Sequence, residues 1–446
     1  MSLKVCSVVL GCVVALAAAA EELPRGQVIE HVACAGRRRC DYALYLPSSY
    51  TAERRWPVIV AFDPAARGVV PVRLLQPVAE RLGVIVAGSN ESRNGPWEPI
   101  LAAQKAMWKD LHERFAIEPK RAVATGFSGG ARAALRMALD RDDEFLGVIP
   151  CGAFFTQVEE FPKRTHLAFY GLVGRDDLAL SEFKSAARLL GEREVRSWIE
   201  VFEGGHAWPP QERMAEAVEF LRIEAGRKGL AQRDEALERA WVAARLERAR
   251  ALEAPGSRIW AAWTYRQLAS VFPDVEGSRA AADAVQTISA HPELGEATAR
   301  EVAFENALAA LEDINDTGAF RRAWDEVVAL AAGGGPLAGR AAHTVRNVPD
   351  NLARFALQAL DAGEPRQSEK ALEVADALRP ADRLASYNIA CGWARLGRTS
   401  EALAALERAV AAGFANREFM LADDDLRRLR NEPAFRALLE RLPARN

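Results

Sequence analysis

Three residue types able to cooperate in nucleophilic catalysis fall in the first half of the chain, each just after an apolar run. The first is Ser128, set in Gly126-Phe127-Ser128-Gly129-Gly130, with the apolar run Arg121 to Thr125 before it and a helical pattern, Ala131 to Leu139, after it. A strand, a Gly-x-Ser-x-Gly turn and a helix together hold a serine hydroxyl outward on a tight, strained bend. Neighbours on such a bend must lack bulk, which accounts for the glycines. The N–H of Gly129 is then expected at a helix N-terminus, where it can hold an oxyanion.

A carboxylate and an imidazole follow in the order serine, acid, histidine. Leu167 to Val173 reads as a buried strand running into Gly174-Arg175-Asp176-Asp177, which places an acid at a strand's C-terminal end, facing the nucleophile. The spacing favours Asp177, with Asp176 as the alternative. The unused neighbour is expected in solvent or capping the helix that starts near Leu180. Arg196 to Phe202 reads as the next strand and leads into Gly204-Gly205-His206-Ala207-Trp208-Pro209. The glycines let this loop double back, so that His206 reaches Ser128. A lone histidine is more often a surface or core residue. This one follows a strand at the end of the strand-rich region, and the catalytic reading is preferred.

Thr125 to Ala131, taken with Gly204 to Pro209, resembles the secreted esterases related to polyhydroxyalkanoate depolymerases, a group that includes feruloyl and acetyl-xylan esterases. The resemblance covers residues 24–225. It implies an α/β-hydrolase fold with Ser128 as nucleophile, Asp177 as acid and His206 as base, acting on an ester. It does not identify the substrate, because this fold hosts many chemistries. One departure stands out. Such esterases carry a His-Gly or Gly-rich turn where this chain has Asp63-Pro64-Ala65-Ala66-Arg67-Gly68 after the strand Pro57 to Phe62. That loop must supply the second oxyanion N–H. Pro64 has none, which leaves Ala65 or Ala66, with Ala65 taken as the donor. A carboxylate at Asp63 aimed into the hole would oppose the developing charge. Asp63 is therefore expected to turn away toward Arg67, or simply to cap the loop.

The elements that must position these residues alternate strand and helix, as a mostly parallel sheet covered on both faces requires. Asp63 to Gly83 carries a loop and a first helix, Val84 to Gly88 a strand, Gln104 to Phe115 an amphipathic helix and Gly147 to Ala153 another strand. Only Phe154 to Thr165 separates that strand from the acid-bearing one, too little for a sizeable lid, so an open site is expected. Ser89 to Trp97 follows a strand's C-terminal end, where ligand sites of such sheets form. Asn94-Gly95 there reads either as a plain turn or, with Trp97 and Trp208, as lining of the acyl or alcohol pocket.

The chain has 446 residues, half of them hydrophobic, and a net charge of −3. Length alone suggests two or three domains, and nothing in the charge calls for nucleic acid or an anionic membrane. Arginine far outnumbers lysine but is spread along the chain. Lys4, the apolar run Val5 to Ala20 and the small residues Ala18-Ala19-Ala20 read as a signal peptide, residues 1–20, cleaved after Ala20. Export to a periplasm or the exterior is the expectation, with no membrane span in the mature protein. A lipoprotein anchor at Cys12 is the weaker alternative. In an oxidising compartment Cys34 and Cys40, on either side of a hairpin turn, are expected to form a disulfide. Cys151 and Cys391 read as buried small hydrophobes. No Cys/His spacing suggests a metal site, and no cofactor is called for.

Beyond Gly226 the pattern becomes helical only, and residues 229–446 are read as a separate α-helical domain joined at Gly226-Arg227-Lys228-Gly229. Near its end a 34-residue period emerges, clearest over residues 349–414. Leu352, Ala356, Gly363, Leu372 and Ala375 recur as Ser386, Ala390, Gly397, Leu406 and Ala409, the spacing of a tetratricopeptide-like helix-turn-helix. Such a stack offers a face for a protein partner. Two function classes follow. The favoured one is a serine hydrolase acting on carboxylic esters, including bulky ones, with a serine peptidase of the same fold as its alternative. The other is a non-catalytic binding protein that uses the hydrolase half as a scaffold.

Overall fold

The structure, a computed structural model, describes residues 23–35, 40–155, 161 and 164–443. The expected signal peptide and Cys12 lie outside the described residues. Eight strands form one sheet: β1 (Val28–Ala33), β2 (Asp41–Tyr45), β3 (Trp56–Phe62), β4 (Ile85–Ser89), β5 (Ile117–Phe127), β6 (Phe145–Cys151), β7 (Ala168–Gly174) and β8 (Ser197–Phe202). Their spatial order is β1-β2-β4-β3-β5-β6-β7-β8. The β1–β2 and β2–β4 pairs are antiparallel and every pair from β4 to β8 is parallel. This is the expected α/β-hydrolase fold.

The apolar runs are continuous because the central strands are buried on both faces. Successive side chains of β3 alternate between two cores. Val58, Val60 and Phe62 pack into the layer that holds Met107 and Leu111 of α2 (Trp97–Arg114) and Phe183 of α4 (Leu180–Glu192). Ile59 packs into the opposite layer with Val72 and Leu75 of α1 (Val69–Leu82) and Leu221 of α5 (Gln211–Arg227). Helix α3 (Gly129–Leu139) starts directly after Ser128. Parallel strands end on the same side, so the turns after β3, β4, β5, β7 and β8 gather at one edge of the sheet, where such folds place their sites.

The chain divides into two compact units, Met1–Ala297 and Thr298–Asn446. The change to helices alone, expected to mark a junction near Gly226, falls inside the first unit. Helices α6 (Glu235–Ala251), α7 (Arg258–Val271) and α8 (Ser278–Ser289) belong to the first unit. The physical reason is buried apolar surface. Trp241 of α6 packs edge-on against Trp198 of β8 at 4.9 Å and lies 5.6 Å from Phe220 of α5. Helix α7 also closes the sheet. The Gln267 amide accepts from Ile199 N–H at 2.6 Å and donates to Ile199 O at 3.0 Å, standing in for a ninth strand along the open edge of β8. Unpaired edges of this kind otherwise invite pairing with another chain.

The second unit is helical. In it, α11 (Ala338–Asp361) and α12 (Pro365–Ala377) form one antiparallel pair, and α13 (Arg383–Leu396) and α14 (Thr399–Ala411) the next; the part of α9 (Pro292–Ala310) from Thr298 onward and α10 (Thr317–Ala332) precede them. Asp382 caps α13 by accepting from Leu384 and Ala385 N–H, the usual job of an Asp at that position. Ala356, Leu372 and Ala375 are buried, as are their period partners Ala390, Leu406 and Ala409.

Candidate active site

Ser128 stands at the junction of β5 and α3 with φ 53° and ψ −124°, a strained conformation for a residue with a side chain. Two glycines make the bend passable. A Cβ on Gly126 would sit 2.1 Å from Gly130 O, and one on Gly130 would sit 2.1 Å from Phe62 O. The bend is pinned by a bond from Ser128 N–H to Cys151 O at 2.8 Å. Gly129 is the first residue of α3, so its N–H has no acceptor within the helix.

His206 lies on the loop after β8, with Nε2 3.0 Å from Ser128 Oγ and Nδ1 2.8 Å from Asp177 Oδ2. A carboxylate only accepts, so Nδ1 carries the proton and donates to Asp177, leaving the Nε2 lone pair to accept from the serine hydroxyl. Asp177 is buried, and its other oxygen accepts from Ala179 N–H at 3.0 Å. Of the two neighbouring acids it is Asp177 that meets the imidazole. Asp176 is only partly buried, and its N–H donates to Gly204 O at 2.8 Å. It does not cap α4, whose N-cap position is Ala179. The loops after β7 and β8 are tied together past the strand ends. Arg175 N–H donates to Phe202 O at 2.7 Å, and the Arg175 guanidinium pairs with Glu203 at 2.7 Å. The acid and the histidine are therefore held by one local scaffold.

Asp63 is fully buried and, as expected, turns to Arg67: its Oδ1 accepts from Arg67 Nε at 2.9 Å and its Oδ2 from the guanidinium end at 3.0 Å. It also accepts from Ala65 N–H at 2.9 Å and from Trp208 Nε1 at 2.9 Å. Burial pushes this carboxyl up, but the bonds from Arg67, Trp208 and Ala65 outweigh that and hold it below the usual carboxylate value. The consequence for the loop after β3 is direct. The N–H of Ala65 is turned onto Asp63 Oδ1, and that of Ala66 onto Asp63 O at 3.0 Å.

Trp208 and Trp97 separate. Trp208 lies 5.7 Å from Phe127, whose ring is in turn 4.6 Å from His206. Trp97 starts α2 and is 46% exposed. Among the described residues it makes no ring contact with the other three. Asn94 lies beside the Ser128 turn: a Cβ on Gly129 would fall 1.9 Å from Asn94 Oδ1. Sequence reasoning missed Phe127 as a wall for the imidazole and the Asp63–Trp208 bond. Phe127 was in plain view as the x of Gly-x-Ser. The expected Cys34–Cys40 disulfide is present, with Cα atoms 5.3 Å apart, while Cys151 and Cys391 are free and buried. No helix among the described residues is long and apolar enough to cross a membrane.

No protein-family model and no curated protein sequence matches the chain. Several solved structures are similar to part of it. A thermostable esterase is 20% identical with a TM-score of 0.32, over 41% of this chain and 58% of that one, so the chain spans little more than half of that relative. An S-formylglutathione hydrolase from Staphylococcus aureus is 13% identical with a TM-score of 0.35, over 46% of this chain and 98% of that one. A hyperthermophilic esterase from the archaeon Pyrobaculum calidifontis is 15% identical with a TM-score of 0.36, over 52% and 95%. These three structures are two esterases and a hydrolase, and they cover 41%, 52% and 46% of this chain.

Proposed function

We propose that the chain is an exported serine hydrolase that cleaves carboxylic esters through an acyl-enzyme on Ser128. The observation that carries the reading is the hydrogen-bonded series from Ser128 Oγ through His206 to Asp177, at 3.0 and 2.8 Å. In this reading Ser128 Oγ attacks the ester carbonyl carbon while its proton passes to His206 Nε2. Asp177 stays ionised, fixes the tautomer and stabilises the imidazolium. The oxyanion accepts from Gly129 N–H and a second donor. The C–O bond to the alcohol then breaks, and His206 returns the proton to the leaving oxygen. Water enters, gives its proton to His206 and attacks the acyl carbon. The bond from the acyl carbon to Ser128 Oγ then breaks, His206 returns its proton to that oxygen, and the acid leaves.

The motifs around Ser128 and His206, similar to those of esterases related to polyhydroxyalkanoate depolymerases, support a carboxylic ester as the substrate class. The short connection between β6 and β7 supports a site open enough for a bulky one. The apolar leader at residues 5–20 supports export, and the Cys34–Cys40 disulfide is of a kind that persists in oxidising compartments. The paired helices of the second unit, with Gly363 and Gly397 in matching left-handed turns, support a tetratricopeptide-like stack offering a surface to a protein partner. A panel of p-nitrophenyl esters of graded acyl length, run beside peptide p-nitroanilides on the mature chain, tests the reaction class. Ester turnover that exceeds amide turnover is expected. Faster amide cleavage would make it a peptidase, and a folded chain inert to both would make the hydrolase half a scaffold.

A further inference from the structure

We propose that the second donor of the oxyanion hole is the side-chain amide of Asn94, in place of a backbone N–H from the loop after β3. The assignment rests on the serine-hydrolase reading above and deepens it. It starts from the state of the loop expected to supply the donor. Pro64 has no N–H. The N–H of Ala65 is held by Asp63 Oδ1 at 2.9 Å, and that of Ala66 by Asp63 O at 3.0 Å. Asp63 does not readily release Ala65, because Arg67 and Trp208 clamp the same carboxylate from two other directions. An oxyanion drawing on Ala65 would have to share that N–H with a buried negative charge.

Asn94 stands where a replacement is needed. The first donor is the Gly129 N–H, and the amide of Asn94 occupies the space a side chain of Gly129 would fill. From the position of that missing Cβ, Asn94 Oδ1 lies at 1.9 Å, Cγ at 2.7 Å and Nδ2 at 3.1 Å. This accounts for glycine after the nucleophile, since any larger residue would expel the amide. The backbone of Asn94 is anchored to the β3 loop: Asn94 N–H donates to Pro64 O at 2.8 Å, and Ala65 and Arg93 form an antiparallel bridge. The side-chain amide makes no hydrogen bond among the described residues. Rotation about the Cβ–Cγ bond exchanges Oδ1 and Nδ2, so the N–H₂ end can be turned to a developing oxyanion. A neutral amide donates there without adding charge, and it escapes the competition from Asp63 that burdens Ala65.

Steady-state kinetics on a short-chain p-nitrophenyl ester test this with Asn94→Ala and Asn94→Asp. A side-chain donor to an oxyanion is worth about 10²- to 10³-fold in kcat. Both variants should lose kcat on that scale with KM little changed, while thermal unfolding and the circular dichroism spectrum stay as in the wild type. Asn94→Asp should be at least as impaired as Asn94→Ala, because it sets a negative charge beside the oxyanion. A kcat within threefold of the wild type in Asn94→Ala, or a loss confined to KM, would overturn the assignment and return the role to Ala65, leaving the serine-hydrolase reading intact. A folded wild type that neither turns over esters nor labels at Ser128 would overturn both.

Discussion

Replacing Trp241 by alanine probes whether α6 is part of the hydrolase fold or of a separate helical module. Trp241 is 2% exposed. Its ring lies 4.9 Å from Trp198, 5.2 Å from Phe272 and 5.6 Å from Phe220, with the Arg245 guanidinium 3.6 Å above it and Nε1 donating to Glu216 O at 3.1 Å. Truncating a buried tryptophan costs about 3–5 kcal/mol. The upper half of that range applies, because the loss also leaves Arg245, with a side chain only 2% exposed, beside an empty cavity. With about 2–4 °C of Tm lost per kcal/mol in a unit of this size, a cost of about 4 kcal/mol lowers the midpoint by about 8–16 °C. The assay follows the temperature at which ester hydrolysis and the near-ultraviolet circular dichroism are lost together. If activity melts within about 3 °C of the wild type, the hydrolase sheet does not depend on α6, and the division between units belongs near Gly226 after all. By the same reasoning, a chain cut at Gly226 exposes Trp198, Tyr170 and Phe220 and aggregates.

Asp177→Asn should depress turnover by about four powers of ten, as loss of the orienting carboxylate does in a well-studied triad, while Asp176→Asn leaves it within a few-fold. The reverse ranking of the two variants would transfer the role to Asp176. Asp63 makes a pH-dependent contribution to stability. Its carboxyl is held below the usual value in the folded chain, so the contribution is complete above about pH 4 and is lost as pH falls through the lower folded value. Urea midpoints of the wild type and Asp63→Asn should therefore differ at about pH 6 and converge toward about pH 2. A gap that is constant across this range would show that the ionised carboxylate contributes nothing beyond its shape.

The strands were legible where burial on both faces forces a run of apolar residues. Pro57 to Phe62 starts one residue later than β3 and ends with it, and Leu167 to Val173 is offset from β7 by one residue at each end. Ser128, Asp177 and His206, which the structure brings into one hydrogen-bonded series, stand out in the sequence because each lies in or just after a glycine-marked turn at the end of such a run. Features set by distant partners were not. Asp63 and Trp208 are 145 residues apart, and no local pattern announces their bond. Ala65 was chosen by its place in the loop, but which N–H remains available depends on where the Asp63 side chain turns, a matter of packing. Helices α6 to α8 carry an ordinary amphipathic pattern. Periodicity says that they bury a face but not against what, so the change of pattern near Gly226 does not show that these helices pack within the first unit. Nothing near Gln267 in the sequence announces its bonds to the edge of β8.

The central claim is that Ser128 is a nucleophile activated by His206. Intact-mass analysis of the folded mature chain after treatment with a fluorophosphonate tests it most directly. One adduct should appear on the wild type, be located to the peptide bearing Ser128, disappear in Ser128→Ala and form far more slowly in His206→Ala. A folded wild type that acquires no adduct, or an adduct that survives Ser128→Ala, would contradict the account.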